Sequence, residues 1–440
     1  MFNKLKYILS FLVIVLLGVY IYTSVSLFPK LSESYYYTKN VTSSYNNKNN
    51  NGSLGNTQKT GLEKIVLHKN FNTTFFSRPI VSGDYSFIDT ANYFQTYGVK
   101  NPNYKGSTMK IDNTTGKVLW ERKFPNLVMN TPLIVSEINT VFVGIGNDEF
   151  FYKSGKLIRG TGVSGIYALN INTGKILWKF NTVGQRKPTL VYNNNIVYSV
   201  GGNGVLYALS SSTGKEIWSL NYGSITSQGS ITLVGNNLYF GGADPYKLYD
   251  VNILSRKIVW SKNFGALGIN GGLDDTTIAY NSGYLYTVGT KLVNYKQNKG
   301  YDYLYKVNAS NGDILWKLNE GYGLMNLPSG AQMEGTVPTI SGNNVYVGST
   351  TSQRILCVSI NNGKILWSKK SIGLNNKPFI IVGKYLYYDN ALGNILVYNK
   401  NNGEYVAERT TGAAVAVSGL TYINNKFYAD TIKGDLYIFN

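Results

Sequence analysis

The chain has 440 residues, 43% of them apolar and 14% aromatic, and carries a formal net charge of +19. A single histidine and a single cysteine exclude His-clustered metal centres, internal disulfides and haem attached through paired cysteines. Any Ser/His/Asp triad would have to use His68.

In chain order, residues 1–29 read as a membrane anchor or uncleaved signal sequence. Tyr7 to Pro29 carries no charge, Ile8 to Tyr22 is almost wholly apolar, and Lys4 and Lys6 lie before it. That length and flank predict one transmembrane helix with the bulk of the chain on the extracytoplasmic side; a cleaved signal peptide is the rival. Residues 30–60 are rich in Tyr, Asn, Ser and Lys without an apolar period, and predict a flexible tether.

From residue 61 onward one phrase repeats. Thr173-Gly174-Lys175-Ile176-Leu177-Trp178 is its clearest copy, and all six tryptophans, Trp120, Trp178, Trp218, Trp260, Trp316 and Trp367, occupy its last position. Arg256 replaces the glycine in one copy, Ala407 replaces the tryptophan in another, and Leu67 marks a copy at the front. A short β-prone run precedes each tag, such as Ile166-Tyr167-Ala168-Leu169, and two more precede that. Four strands in about 40 residues is the size of a propeller blade. Only three strands fit after Ala407, so Gly61 to Leu67 is expected to supply the fourth and close a ring of eight. The fold class is all-β: an eight-bladed β-propeller of four-stranded antiparallel blades over residues 61–440.

The repeated Tyr-Ala-Leu and Gly-Lys-x-x-Trp phrases resemble the repeat of the quinoprotein-like (PQQ-like) eight-bladed propellers. The resemblance implies that each tryptophan docks on the neighbouring blade, near the tag glycine and the small residue six positions before it. Ala168 and Ala208 fill that small position, whereas Lys110, Asp250, Lys306, Cys357 and Val397 imply looser docking in their blades. Quinoprotein dehydrogenases in the family use pyrroloquinoline quinone and calcium. The adjacent cysteine pair often found near the quinone is missing here. Asp274 and Asp275 are the candidate carboxylates for that chemistry.

Extra chain length falls between second and third strands, at 92–106, 146–162 and 290–302, and in the passage 318–335. All of it belongs on one face, which predicts a binding side carrying Tyr97, Tyr104, Phe151, Tyr152, Tyr295, Tyr301, Tyr303 and Tyr322. Arg78, Arg186, Lys187 and Lys377, beside the prolines that begin blades, are expected to ring the channel mouth and receive an anion. His68 reads as a surface strand residue and Cys357 as a buried, inert thiol.

The expectation is a membrane-anchored, single-pass extracytoplasmic propeller that binds protein or envelope-polymer partners on its long-loop face. No catalysis, cofactor, metal or nucleic acid is expected. The alternatives are a quinone-dependent dehydrogenase and a cell-surface glycan-binding component.

Overall fold

Each tag turns on its glycine. The tag glycines Gly116, Gly174, Gly214, Gly312, Gly363 and Gly403 have φ between +64° and +74°, where a side chain is costly. The residue four before the glycine braces the turn with its side chain: Asn170 Oδ1 accepts from the amides of Asn172 and Thr173, and Asp112 Oδ1 from those of Thr114 and Thr115.

The computed structural model describes residues 60–92, 103–129, 131–324, 326–327, 330–331, 337–371, 373, 377–415 and 419–440. They lie within one unit spanning 51–95 and 103–440; the other, 1–50 with 96–102, falls outside the described residues. The expected transmembrane helix, nearly all of the tether and Tyr97 therefore also lie outside them. No helix among the described residues is long and apolar enough to cross a membrane.

Eight four-stranded antiparallel sheets form the propeller. Blade 1 runs Ile80–Ser82, Tyr85–Ala91, Gly106–Asp112, Val118–Phe124. Blades 2 to 7 repeat that order, beginning at Leu133–Val135, Val191–Asn193, Thr232–Val234, Ala279–Asn281, Thr339–Ser341 and Ile380–Val382. Blade 8 takes Thr421–Ile423, Lys426–Asp430 and Asp435–Phe439 from the far end of the chain, and Ile65–Asn70 from the near end. Leu67 pairs with Ile438 and Asn70 with Asp435, so the closing strand lies a few residues later than Gly61 to Leu67. His68 is stacked on Tyr437 on the outer surface, with its ring centroid 4.2 Å away.

The tryptophans weld blade to blade. Trp120, Trp178, Trp260, Trp316 and Trp367 each donate their indole N–H to a carbonyl in the turn region of the next blade, from Ile171, Ser211, Ala309, Ile360 and Lys400. Each indole also covers the next tag's glycine, leaving no room for a Cβ at Gly174, Gly214, Gly312, Gly363 or Gly403. This corrects the expectation of loose docking. Lys110, Asp250, Lys306 and Cys357 stand opposite the tryptophan of their own blade, and those tryptophans keep the indole bond. Lys110 and Lys306 fit by laying Nζ over Tyr85 and Tyr284, 4.1 and 4.0 Å from the ring centroids. The exception is Trp218, which makes no such bond among the described residues; the next tag has Arg256 at φ +57° in place of glycine. Blade 7 carries Ala407 for a related reason. The last two strands of blade 8 come from opposite ends of the chain, so no tag turn exists there to receive an indole.

Much of the extra length is strand. Phe150–Lys153 and Lys156–Arg159 form a hairpin on blade 2. In blade 5 the last three strands lengthen to Tyr284–Asn294, Lys299–Asn308 and Ile314–Leu324, a tall arm where loops were expected.

Candidate functional site

The blade 2 insertion brings Asp148 and Arg159 over the lead-in to blade 3, where Gln185 and Lys187 lie. The backbone fixes this meeting: Gln185 N–H donates to Arg159 O at 2.8 Å, Arg159 N–H to Gly202 O at 2.9 Å, and Gly202 N–H to Gln185 O at 2.9 Å. A Cβ on Gly202 would fall 1.9 Å from Arg159 O, so only glycine fits there.

Asp148 Oδ1 receives Arg159 Nη2 at 2.8 Å and also Lys187 Nζ. The Lys187 side chain is fully buried. Burial by itself would raise the Asp148 carboxyl, but Lys187 and Arg159 outweigh it and hold it down at about 2. Arg159 Nη1 also donates to Ser227 Oγ. The amides of Ser227, Gln228 and Gly229 then converge on the carbonyl of Asp274 at 3.1, 3.2 and 2.8 Å, which joins blade 4's lead-in to blade 5's.

Asp274 is 6% exposed, and burial and then the neighbouring Asp275 push its carboxyl well up, against the pull of Arg159 and Lys187. Asp275 is half-buried and its Oδ1 has no hydrogen-bond partner. The result is a largely buried cluster of Asp148, Arg159, Lys187, Asp274 and Asp275, drawn from blade 2 and the lead-ins to blades 3 and 5. It sets a carboxyl lowered by its two cations beside one raised by burial, and it places two cations on one carboxylate.

The remaining candidates separate. Arg186 is fully buried, donates Nη1 to Val205 O and Nη2 to Asn203 Oδ1, and lies over Tyr207. Burial lowers its guanidinium to about 10. Arg78, leading into blade 1, is half-buried and in no ion pair among the described residues. Lys377 is buried beside Asp389, and its charge also reaches Asp430. Asp389 and Asp430 share a register with Asp89 near the ends of the second strands of blades 7, 8 and 1, where the other blades carry glycine or valine. All three are fully buried.

On the long-loop face, Tyr104 donates its hydroxyl to Glu149 Oε1 at 2.6 Å. Phe151 pairs with Ile158 across the hairpin, and Tyr152 is 76% exposed. Tyr301 lies 4.9 Å from Tyr322 and 6.1 Å from Tyr303 on the blade 5 arm, and Tyr295 accepts from Asn270 Nδ2 near its tip.

Sequence reasoning named Asp274, Asp275 and Lys187 but missed Asp148, Gln185 and Ser227. The one available signal was the adjacent cations Arg186-Lys187, since burying such a pair calls for a counter-charge or a set of acceptors nearby.

The eight blades, most of them joined by an indole, define a quinoprotein-like propeller. The chain belongs to the family described as outer membrane protein assembly factor BamB, whose profile matches residues 105–267 and 162–409. It is 28% identical over 345 residues to a tetrathionate hydrolase from Acidithiobacillus ferrooxidans, covering 72% of this chain and 66% of that one. It is 26% identical over 368 residues to a tetrathionate hydrolase from Acidianus ambivalens, covering 75% and 66%. The matches thus span about two thirds of the length of these relatives. Among solved structures, BamB from Moraxella catarrhalis matches with TM-score 0.59 at 15% identity, covering 86% of this chain and 99% of that one. Quinohemoprotein alcohol dehydrogenase from Comamonas testosteroni matches with TM-score 0.58 at 14% identity, covering 86% and 76%. At such identity these two structures establish the fold alone.

The dehydrogenase's cofactor class does not suit this cluster. A calcium ion at Asp274 and Asp275 would sit in the field of Arg159 and Lys187, two fixed positive charges acting on Asp274.

Proposed function

We propose that this propeller hydrolyses a sulfur oxyanion of the tetrathionate class at the Asp148 cluster. The carrying observation is the pairing of Asp274, a buried carboxyl pushed up by burial and by its neighbour, with Asp275, whose Oδ1 is unpartnered, beside Arg159 and Lys187. Two hydrolase relatives support the substrate class. Neighbouring carboxyls in unlike environments supply an acid and a base from one residue type.

In this reading Arg159 and Lys187, with Arg78 nearer blade 1, attract the dianion as cations. A water oxygen bonds to one sulfonate sulfur as the adjoining S–S bond breaks. Asp275 Oδ1 takes a water proton, and Asp274 gives its proton to the departing sulfane sulfur. Hydrogensulfate and a disulfane monosulfonate leave with all atoms and charge conserved, and a proton passing from Asp275 to Asp274 resets the pair.

The test is sulfate release from tetrathionate by the purified full chain, followed by ion chromatography. Sulfate formation that disappears in Asp275→Asn supports the reading, and a wild-type chain releasing none overturns it.

A partner-binding platform is the second reading, favoured by the projecting hairpin with Phe150 54% and Tyr152 76% exposed. It places the propeller on the extracytoplasmic side of the cell membrane, held by residues 1–29, with a protein or envelope polymer on the long-loop face. Alkaline extraction of membranes tests the anchor: a chain that washes off overturns it.

A further inference from the structure

On the blade 5 arm a β-bulge turns a glutamate inward. Asp302 pairs with Gly321 and Tyr303 with Asn319, so Glu320 is the extra residue between them. Bulges re-aim side chains, and this one buries Glu320 to 4% exposure beside the fully buried Asp302. Both carboxyl oxygens of Glu320 lack a hydrogen-bond partner, and neither residue has an ion pair among the described residues. Burial drives both carboxyls up from their ordinary range.

Blade 6 and the neighbouring strand of blade 5 surround Asp302 with polar groups. Ser349 Oγ, Thr351 Oγ1 and the Thr351 amide reach Asp302 Oδ2 at 3.0, 3.1 and 3.0 Å, while Thr290 Oγ1 reaches Oδ1 at 2.9 Å. Thr351 Oγ1 also lies 3.2 Å from the carbonyl of Gly321. The hydroxyls can rotate to offer lone pairs in place of protons.

We propose that Asp302 and Glu320, with the hydroxyls of Ser349 and Thr351 and the carbonyl of Gly321, form a binding site for a hard divalent cation of calcium's class. The ligands named are all oxygen, which selects against zinc and copper and suits a hard cation. The cation would replace two carboxyl protons and tie the blade 5 arm to the blade 6 turn. Nothing in this depends on the hydrolytic reading.

The probe is terbium added to the full chain, with emission excited through tyrosine, since Tyr303 adjoins Asp302 and Tyr301 and Tyr322 lie against each other on the same arm. The expected result is saturable emission displaced by calcium, with affinity falling at least about tenfold in Glu320→Gln. Saturable emission that is absent, or unchanged in Glu320→Gln, overturns the proposal. Should that variant fail to fold, Ser349→Ala decides: weakened terbium binding supports the site and unchanged binding overturns it.

Discussion

Gly174 lies beneath the indole of Trp120, so closely that a Cβ on the glycine would fall 2.6 Å from ring carbon Cε3. The contact joins blades 1 and 2, and its counterparts recur between most neighbouring blades. Gly174→Ala therefore combines a left-handed backbone with overpacking, and is expected to cost about 2–4 kcal/mol. Urea denaturation followed by tryptophan emission measures it.

The opposite change is available where the pattern breaks. Arg256 holds φ +57° in the tag that follows Trp218. Arg256→Gly relieves that backbone and is expected to stabilise the chain by roughly 1 kcal/mol. An unchanged or lowered denaturation midpoint would show that the arginine side chain offsets its backbone cost.

These contacts explain what the sequence made legible. A glycine turn, a tryptophan four residues on and a short apolar run are local signals, so eight blades and their closure could be read directly. The site could not. Asp148 meets Lys187 across 39 residues and Arg159 meets Ser227 across 68, and nothing in either segment marks the partner. The adjacent cations Arg186 and Lys187 look alike in sequence, yet in the lead-in to blade 3 one reaches Asn203 and the other Asp148. Small residues opposite the tryptophans looked decisive for docking, whereas the next blade's glycine is.

Asp148 is the only carboxylate ion-paired to the buried Lys187 among the described residues. Asp148→Asn leaves that ammonium and Arg159 without their anion, and is expected to cost about 3–5 kcal/mol. The double variant Asp148→Asn with Lys187→Met should recover part of the loss, because it removes the stranded charge. Equal loss in both variants would place the damage in packing instead.

Under the hydrolytic reading, Asp274→Asn and Asp275→Asn should each lower kcat by about 100-fold to 10,000-fold with little change in denaturation midpoint. Asp274→Asn should also flatten the alkaline limb of the pH profile, since it removes the carboxyl whose proton is lost there. A retained alkaline limb would assign it to another group.

Burial also sets how the fold answers pH. Asp89, Asp274, Asp302, Glu320 and Asp430 are all raised by burial, and Asp250 to about 6. Such groups keep protons in the native chain that the unfolded chain has released. Their contribution is complete below the ordinary carboxyl range and is lost as pH rises through the native values. Asp148 has the opposite sign, stabilising above the ordinary range and failing as pH falls towards about 2. Tm is therefore expected to be several degrees higher at about pH 5 than at about pH 8 in cation-free buffer. Differential scanning calorimetry would reveal a reversed order, which would mean that these carboxyls are ionised in the native chain.

His68 and Asp435, hydrogen-bonded in blade 8, stand 367 residues apart. At about 5–20 residues per second, a ribosome delivers the second roughly 20–70 seconds after the first. Throughout that interval Ile65–Asn70 is an unmatched edge, and the finished blades form an open arc. A chain halted short of residue 435 keeps that edge indefinitely. Two such chains meeting could each lend the other a strand, so an interrupted synthesis leaves behind a seed for linked rings.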